Sequence, residues 1–299
     1  MKHSGGNWNP KEENVYFIAS NVNSLQHGVK SHNYILVAVN ELNTDEEIKQ
    51  VEDWADEGKR VFIDSGVFNL ANSHAKNNEI SMDAALSMAP DDIDGFKDLF
   101  EKYCDIISRI GDKVWGYIEV DQGGRENKVK TRARLEEKGF NPIPVYHPFN
   151  DGWDYFDYLG QNYDRICFGN IVQADRKTRL RLAATAWERR RKYPNLWIHL
   201  LGMTPNEWLN AFPINSCDSS TWLRMVRWST SWKAPTALKP FTEMGTNWTY
   251  DYDADPSSST GHQKARQLGA YDAHFLVENW RILQKEYTHQ IGCDTGLFL

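Results

Sequence analysis

Three aspartates each follow a short apolar run rich in β-formers. Val61–Ile63 leads into Asp64-Ser65-Gly66, Tyr117–Val120 into Asp121-Gln122-Gly123-Gly124, and Ile214–Cys217 into Asp218-Ser219-Ser220. If these runs are strands of one parallel sheet, three carboxylates converge on one mouth. Each aspartate alone would serve equally as a cap on the turn or helix that follows it, the commonest duty of Asp in such a place. Together they are less ordinary, because like charges gathered in a cleft repel and raise one another's pKa. Paired carboxylates are what displacement at an anomeric carbon requires: one attacks the sugar carbon and the other passes protons, as in retaining glycosidases.

The elements that must position these acids follow an alternating rhythm. Strands are expected at Val15–Ser20, Tyr34–Val39, Val61–Asp64, Trp115–Val120, Ile143–Tyr146, Arg165–Gly169, Trp197–Leu201 and Pro213–Cys217. Helix-like stretches lie between most of them, at Asp45–Gly58, Asp94–Ile110, Asn127–Lys138, Asp175–Tyr193 and Pro205–Ala211. Alternation of this kind implies a parallel sheet with crossover helices, and eight strands is the closed-barrel count. The runs are apolar at both parities, as strands buried on both faces should be. No GxGxxG or GxxxxGK[ST] follows any strand, which disfavours an open nucleotide-binding sheet. The expectation is an α/β chain forming a single (β/α)8 TIM-type barrel domain over residues 1–299. A long polar loop is expected at 242–261 and a last barrel helix at 262–290, where Ala265, Leu268, Phe275, Leu276, Trp280 and Leu283 make one apolar face.

Composition narrows the chemistry. The four cysteines (Cys104, Cys167, Cys217, Cys293) lie far apart and form no CxxC pair, so neither a structural zinc site nor a disulfide framework is expected, and no other metal or cofactor. No apolar run approaches the roughly 20 residues of a membrane span. The start, MKHSGGNWNP, lacks a signal-like apolar stretch, so the reading is a cytoplasmic protein without a membrane partner. The formal net charge of −7 argues by itself against nucleic acid. Binding, however, depends on where the positive charge sits.

The motifs resemble those of the tRNA-guanine transglycosylase superfamily. Phe62–Asn69, FIDSGVFN, is similar to its DSGGFQ signature, and Ile118–Gln122, IEVDQ, falls where the family has a base-reading aspartate. Arg165–Val172, RICFGNIV, falls at its glycine-rich base-binding strand end. Ile198–Ser219 resembles its seventh-strand motif followed by the aspartate nucleophile. The likeness runs over roughly residues 15 to 225, in order and spacing. It implies that Asp218 attacks C1′ of a nucleotide, expels guanine and holds the sugar as an ester, while Asp64 acts as general acid/base. It implies that Asp121 accepts hydrogen bonds from the base, that Gly169 and Asn170 offer backbone groups to it, that Ser65 and Gly66 shape the turn beside Asp64, and that Gly202 touches substrate. Three departures matter. DSGVFN replaces DSGGFQ; Tyr146-His147-Pro148 stands where the family has Gln-Gly-Gly, leaving His147 either to read the base or to serve structure; and the zinc-bearing tRNA-docking subdomain is missing. A compact, zinc-free chain resembles the phage-type DNA-guanine transglycosylases, which place 7-deazaguanine bases into DNA. DNA and a free 7-deazaguanine are therefore the expected partners, with tRNA as the alternative and a homodimer possible. A catalytically silent nucleic-acid-binding barrel and a glycoside hydrolase on the same fold are the other readings.

Cations crowd three segments that leave the expected mouth. Arg125, Lys128, Lys130, Arg132 and Arg134 follow Asp121; Arg176, Lys177, Arg179 and Arg181 follow Gly169; Arg224 and Arg227 follow Asp218. Cations at a helix N-terminus oppose the macrodipole, which calls for an anion to compensate; a phosphate backbone would do so, and a solvated helix face is the plain alternative. Arg125, Lys128, Arg176, Lys177, Arg179, Arg224 and Arg227 are the expected backbone contacts. Trp222, Trp228 and Trp232, interleaved with basic residues, could stack bases or fill core.

Overall fold

The computed structural model describes residues 2–10, 15–29, 32–171, 174–203 and 215–220. Among them strands and helices alternate. In chain order these are β1 (Val15–Ala19), α1 (Val22–Gly28), β2 (Tyr34–Ala38), α2 (Asp45–Asp56), β3 (Arg60–Asp64), α3 (Val67–Asn77), α4 (Met82–Ser87) and α5 (Phe96–Ile110). Then come β4 (Gly116–Tyr117), α6 (Arg125–Glu137), β5 (Val145–Tyr146), α7 (Trp153–Asn162), β6 (Arg165–Phe168), α8 (Arg176–Arg190), β7 (Trp197–Leu200) and β8 (Ser216–Ser219). The strands form an eight-stranded sheet in the order β4-β3-β2-β1-β8-β7-β6-β5. This is the parallel, helix-connected arrangement expected of a TIM-like chain. The two end strands of that order meet through the isolated parallel bridge Ile118–Ile143 rather than through a ladder, so the fully closed ring expected from the strand count is not reached. The expected helix Pro205–Ala211, the segments 242–261 and 262–290, Arg224, Arg227 and the three tryptophans at 222, 228 and 232 lie outside the described residues.

The chain divides into two compact units: Met1–Asn9, Ser20–Val22 and Leu36–Asn170 in the first, and Pro10–Ala19, Asn23–Ile35 and Ile171–Leu299 in the second. In the first, β3 and β4 run parallel with Phe62 opposite Gly116 and Ile63 opposite Tyr117. β5 and β6 run parallel with Val145 opposite Cys167. β4 is short because Ile118 N–H still reaches Ile63 O at 2.9 Å, while Glu119 N–H turns to Ile143 O at 3.0 Å. The local signals are ordinary ones. Thr44 and Glu47 cap α2 reciprocally, side chain to backbone in both directions. α5 buries Phe96, Leu99, Phe100, Tyr103, Ile107 and Ile110, the apolar stripe of a helix lying on a sheet.

α6 departs from that pattern. The face it buries is Lys128, Thr131, Arg132 and Leu135, at helical spacing but mostly polar. Lys128 Nζ meets Asp151 Oδ2 and donates to Val145 O at 2.9 Å. Arg132 donates to Glu119 Oε2 at 2.9 Å and to the Tyr155 hydroxyl at 2.9 Å. Two cations thus enter the core because two buried carboxylates await them, which is how charge is tolerated away from water.

The opposite ends of these strands are sealed by the N-terminal residues. Gly5 N–H donates to Asn141 O and Asn7 N–H to Val114 O, at 2.6 and 2.7 Å. Arg165, at the start of β6, is fully buried between the Trp8 and Trp115 rings and donates to Ser4 Oγ, Trp115 O and Gly5 O. Burial pulls its pKa down to about 9, which leaves it protonated at neutral pH.

In the second unit, β8 lies between β1 and β7. Phe17 stands opposite Asp218, and His199 stands opposite Ser216. The strand expected to end at Cys217 therefore runs through Ser219, and Asp218 sits within it rather than after it.

Candidate active site

Two clusters of polar side chains stand at the C-terminal ends of parallel strands, one in each unit. The first is built on β3, β4 and β5. Val61, Phe62 and Ile63 are buried, and the strand ends on half-buried Asp64. The chain then turns sharply. Gly66 adopts φ 81° at the start of α3, and a Cβ there would lie 2.5 Å from Asn40 Oδ1, so both backbone and space demand glycine. That turn presents Ser65, whose hydroxyl donates to Asp121 Oδ1 at 3.3 Å. His147, just after β5, meets the other oxygen: Nε2 lies 3.0 Å from Asp121 Oδ2. Because a carboxylate only accepts, the imidazole proton is assigned to Nε2. Burial pushes the Asp121 carboxyl up, but the hydrogen bond and charge of His147, with the charge of Lys128, outweigh it and hold the pKa below the usual carboxylate value.

The surroundings fix this pair. His147 N–H donates to Asp151 Oδ2 at 2.7 Å, the same oxygen that meets Lys128. A Cβ on Gly169 would lie 3.0 Å from His147 Cδ2 and 3.1 Å from its Nε2, so the imidazole lies directly against the glycine. Asn170 next to it is held at φ 59°, a left-handed conformation that Asn tolerates better than most residues. On the other side, buried Gln122 donates from Nε2 to Ala85 O and Met88 O at 2.8 and 2.9 Å, anchoring the loop that carries Asp121 to the end of α4.

The second cluster is built on β7 and β8, both buried throughout. Asp218, 7% exposed, receives Gly202 N–H on Oδ1 at 2.9 Å. His199 Nε2 meets the same oxygen at 3.1 Å. His199 Nδ1 contacts Ser216 Oγ at 2.8 Å, and Trp197 Nε1 donates to that hydroxyl at 2.8 Å. The Phe17 ring meets the imidazole edge-on, 5.7 Å between centroids. Gly202, expected at substrate, is thus a donor to Asp218 through its backbone.

Of the residues singled out in the sequence, Ser65, Asp121, His147 and Gly169 lie together in the first cluster. The basic residues divide. Lys128 is a correction: its side chain has no exposed surface and its charge is matched by Asp151, so it is a core residue and not a phosphate contact. Arg132, also named among the basic residues, is buried against Glu119. Arg125 is exposed and pairs with Asp154 at 2.7 Å while lying over the Tyr155 ring. At the start of α8, Asp175 accepts from Thr178 N–H at 3.0 Å, and Lys177 is exposed. Part of the compensation that the crowded helix starts call for is therefore internal, from Asp154 and Asp175. Arg179 is half-buried, and Arg176 is the first residue of α8.

Sequence reasoning did not single out His199, Ser216, Gln122 or Asp151. The one available signal was a histidine inside an otherwise apolar strand, Trp197–Leu200. Among the described residues, no group of three His, Cys, Asp or Glu side chains could hold a metal ion. No helix among them is long and apolar enough to cross a membrane.

No family model matches the chain, and no curated protein matches it. A solved structure from Aquifex aeolicus VF5, described as a structural study, superimposes with a TM-score of 0.52, covering 90% of this chain and 94% of that one at 10% identity. Likeness at that identity extends to the fold alone.

Proposed function

We propose that the chain is a base-exchange transglycosylase, which removes guanine from DNA and inserts a 7-deazaguanine through a covalent aspartyl-sugar intermediate. The observation that supports this most directly is the hold on Asp218: a nearly buried carboxylate within β8, with N–H donors on Oδ1 and none on Oδ2 among the described residues. A carboxylate so oriented has one oxygen for its anchor and one for attack.

In the proposed reaction Asp218 Oδ2 forms a bond to C1′ while the C1′–N9 bond breaks, its electron pair leaving on N9 of guanine. The departing base takes a proton from the Asp64 carboxyl. The incoming base then returns a proton from N9 to Asp64, its N9 attacks C1′, and the C1′–Oδ2 ester breaks. Two inversions give net retention. Asp121 and His147 are assigned to the base. With Ser65 and His147 taking one site on each oxygen, a carboxylate of about four lone-pair sites keeps two for the N–H groups of a guanine edge. A base within a duplex must be flipped or taken from a single strand to reach such a site.

Covalent trapping tests the reading. Wild-type protein incubated with a labelled guanine-containing oligodeoxynucleotide should give a band that survives denaturation. The band should vanish in Asp218→Asn, and Asp64→Asn should slow its formation or turnover. An adduct persisting in Asp218→Asn refutes the assignment. The same gel with a tRNA transcript decides the nucleic acid; an adduct on tRNA alone would overturn DNA as substrate.

A further inference from the structure

Four side chains of the second cluster form a directed chain that ends on Asp218, and its direction follows from donor chemistry. Trp197 Nε1 can only donate, and it does so to Ser216 Oγ at 2.8 Å. The direction of the rest is fixed from the other end: the Asp218 carboxylate only accepts, so the nitrogen facing it, His199 Nε2, carries a proton, 3.1 Å from Oδ1. In the tautomer with its proton on Nε2, Nδ1 accepts from the Ser216 hydroxyl, 2.8 Å away. Gly202 N–H reaches the same oxygen at 2.9 Å from a backbone at φ 69°, the left-handed conformation that favours glycine. The parallel register that sets His199 opposite Ser216 builds this line into the β7–β8 ladder itself.

We infer that His199 is the positioning residue of Asp218: it and Gly202 anchor Oδ1, leaving Oδ2 as the attacking atom, and they stabilise the carboxylate when the sugar ester breaks down. The inference rests on the base-exchange reading and adds a residue to it. Its energetic consequence has a definite sign. When Oδ2 bonds to C1′ and the C1′–N9 bond breaks, the charge on the carboxylate is lost to a neutral ester. When N9 of the incoming base bonds to C1′, the C1′–Oδ2 bond breaks and that charge returns to the carboxylate. Donors on Oδ1 bind the charged form more strongly than the ester. Removing one favours the ester, by about tenfold to a hundredfold for a hydrogen bond to a charged group. Damage that merely loosened the fold would reduce adduct and turnover together.

The experiment measures the ratio of adduct to unmodified oligonucleotide at equilibrium with a fixed concentration of free guanine, alongside the turnover of labelled guanine. His199→Gln places an amide N–H where Nε2 stood and should stay near wild type in both. His199→Asn can place a donor only where Nδ1 stood, toward Ser216, and His199→Phe has none. Both should raise the adduct ratio about tenfold or more while turnover falls. An unchanged or lower ratio in His199→Phe and His199→Asn, or equal behaviour of the Asn and Gln variants, overturns the role of His199 alone. An adduct that persists in Asp218→Asn, or none in wild type, overturns the base-exchange reading and this inference with it.

Discussion

Replacing Gly169 with alanine probes the first cluster by adding a single methyl group. Gly169 is not among the glycines at positive φ, so the backbone accepts an L-residue and the effect is steric. The new Cβ would lie 3.0 Å from His147 Cδ2 and 3.1 Å from both His147 Nε2 and Val145 Cγ1, where ordinary contact begins at 3.4 Å. The shortfall is 3.4 − 3.0 = 0.4 Å against one atom and 3.4 − 3.1 = 0.3 Å against two. Val145 is fully buried in β5, and the imidazole, which meets the new methyl through two atoms, is expected to shift. Its bond to Asp121, now 3.0 Å, is then strained or lengthened toward the range where N–H···O bonds weaken. Overpacking of this kind costs about 1–3 kcal/mol, which lowers the thermal midpoint by a few degrees in a chain of this size. Guanine exchange should fall by roughly tenfold, less than the hundredfold that about 1 Å of misplacement can cost. Gly124→Ala is the comparison, since a Cβ there meets nothing within 4 Å and φ is −76°. Thermal unfolding followed by circular dichroism and exchange of labelled guanine measure the two effects. Wild-type exchange in Gly169→Ala would refute the reasoning. So would a further tenfold loss on adding Gly169→Ala to a His147→Ala background, where the methyl group has no imidazole left to displace.

Two further outcomes are expected. Lys128→Met should destabilise the fold by about 3–5 kcal/mol, because the Asp151 carboxylate stays buried without its cation. Chemical denaturation measures this, and the double variant Lys128→Met/Asp151→Leu should recover much of the loss. A wild-type midpoint with a weaker salt dependence of DNA binding would instead return Lys128 to the surface. The second concerns pH. The Asp121 carboxyl has a lower pKa folded than the ordinary value of about 3.9 in an unfolded chain. Its contribution to stability is therefore complete above that ordinary value and is lost as pH falls through the folded pKa. The gap in thermal midpoint between wild type and Asp121→Asn should be widest near neutrality and shrink below about pH 4; a gap that widened on acidification would contradict this.

Much of the framework was legible in the amino-acid order, because it is local. β3 was readable from Val61–Ile63, where a buried apolar run meets Asp64 and a glycine turn. The helix stretches expected at Asp45–Gly58 and Asp94–Ile110 enclose α2 and α5. Reading neighbouring strands as parallel put Asp64 and Asp121 at the same ends of β3 and β4, whose parallel pairing the structure has. The β8 boundary was harder, since Ser216–Ser219 carries little strand propensity of its own. It is extended because β1 and β7 offer ladders on either side, a case of packing overriding propensity.

What only the tertiary structure decided is where charge goes and what holds it. In sequence the cations of α6 read as a solvated or phosphate-facing row. Lys128 and Arg132 turn inward because Asp151 and Glu119, 23 and 13 residues away, are buried by other elements and must be neutralised there. The anchors of Asp218 come from residues 16 and 19 positions earlier, brought to it by strand register. Composition and periodicity report which residues prefer water and which repeat a local geometry. They carry no record of which distant partner removes the cost of burial, and that pairing turns a row of cations into core and a strand aspartate into a held carboxylate.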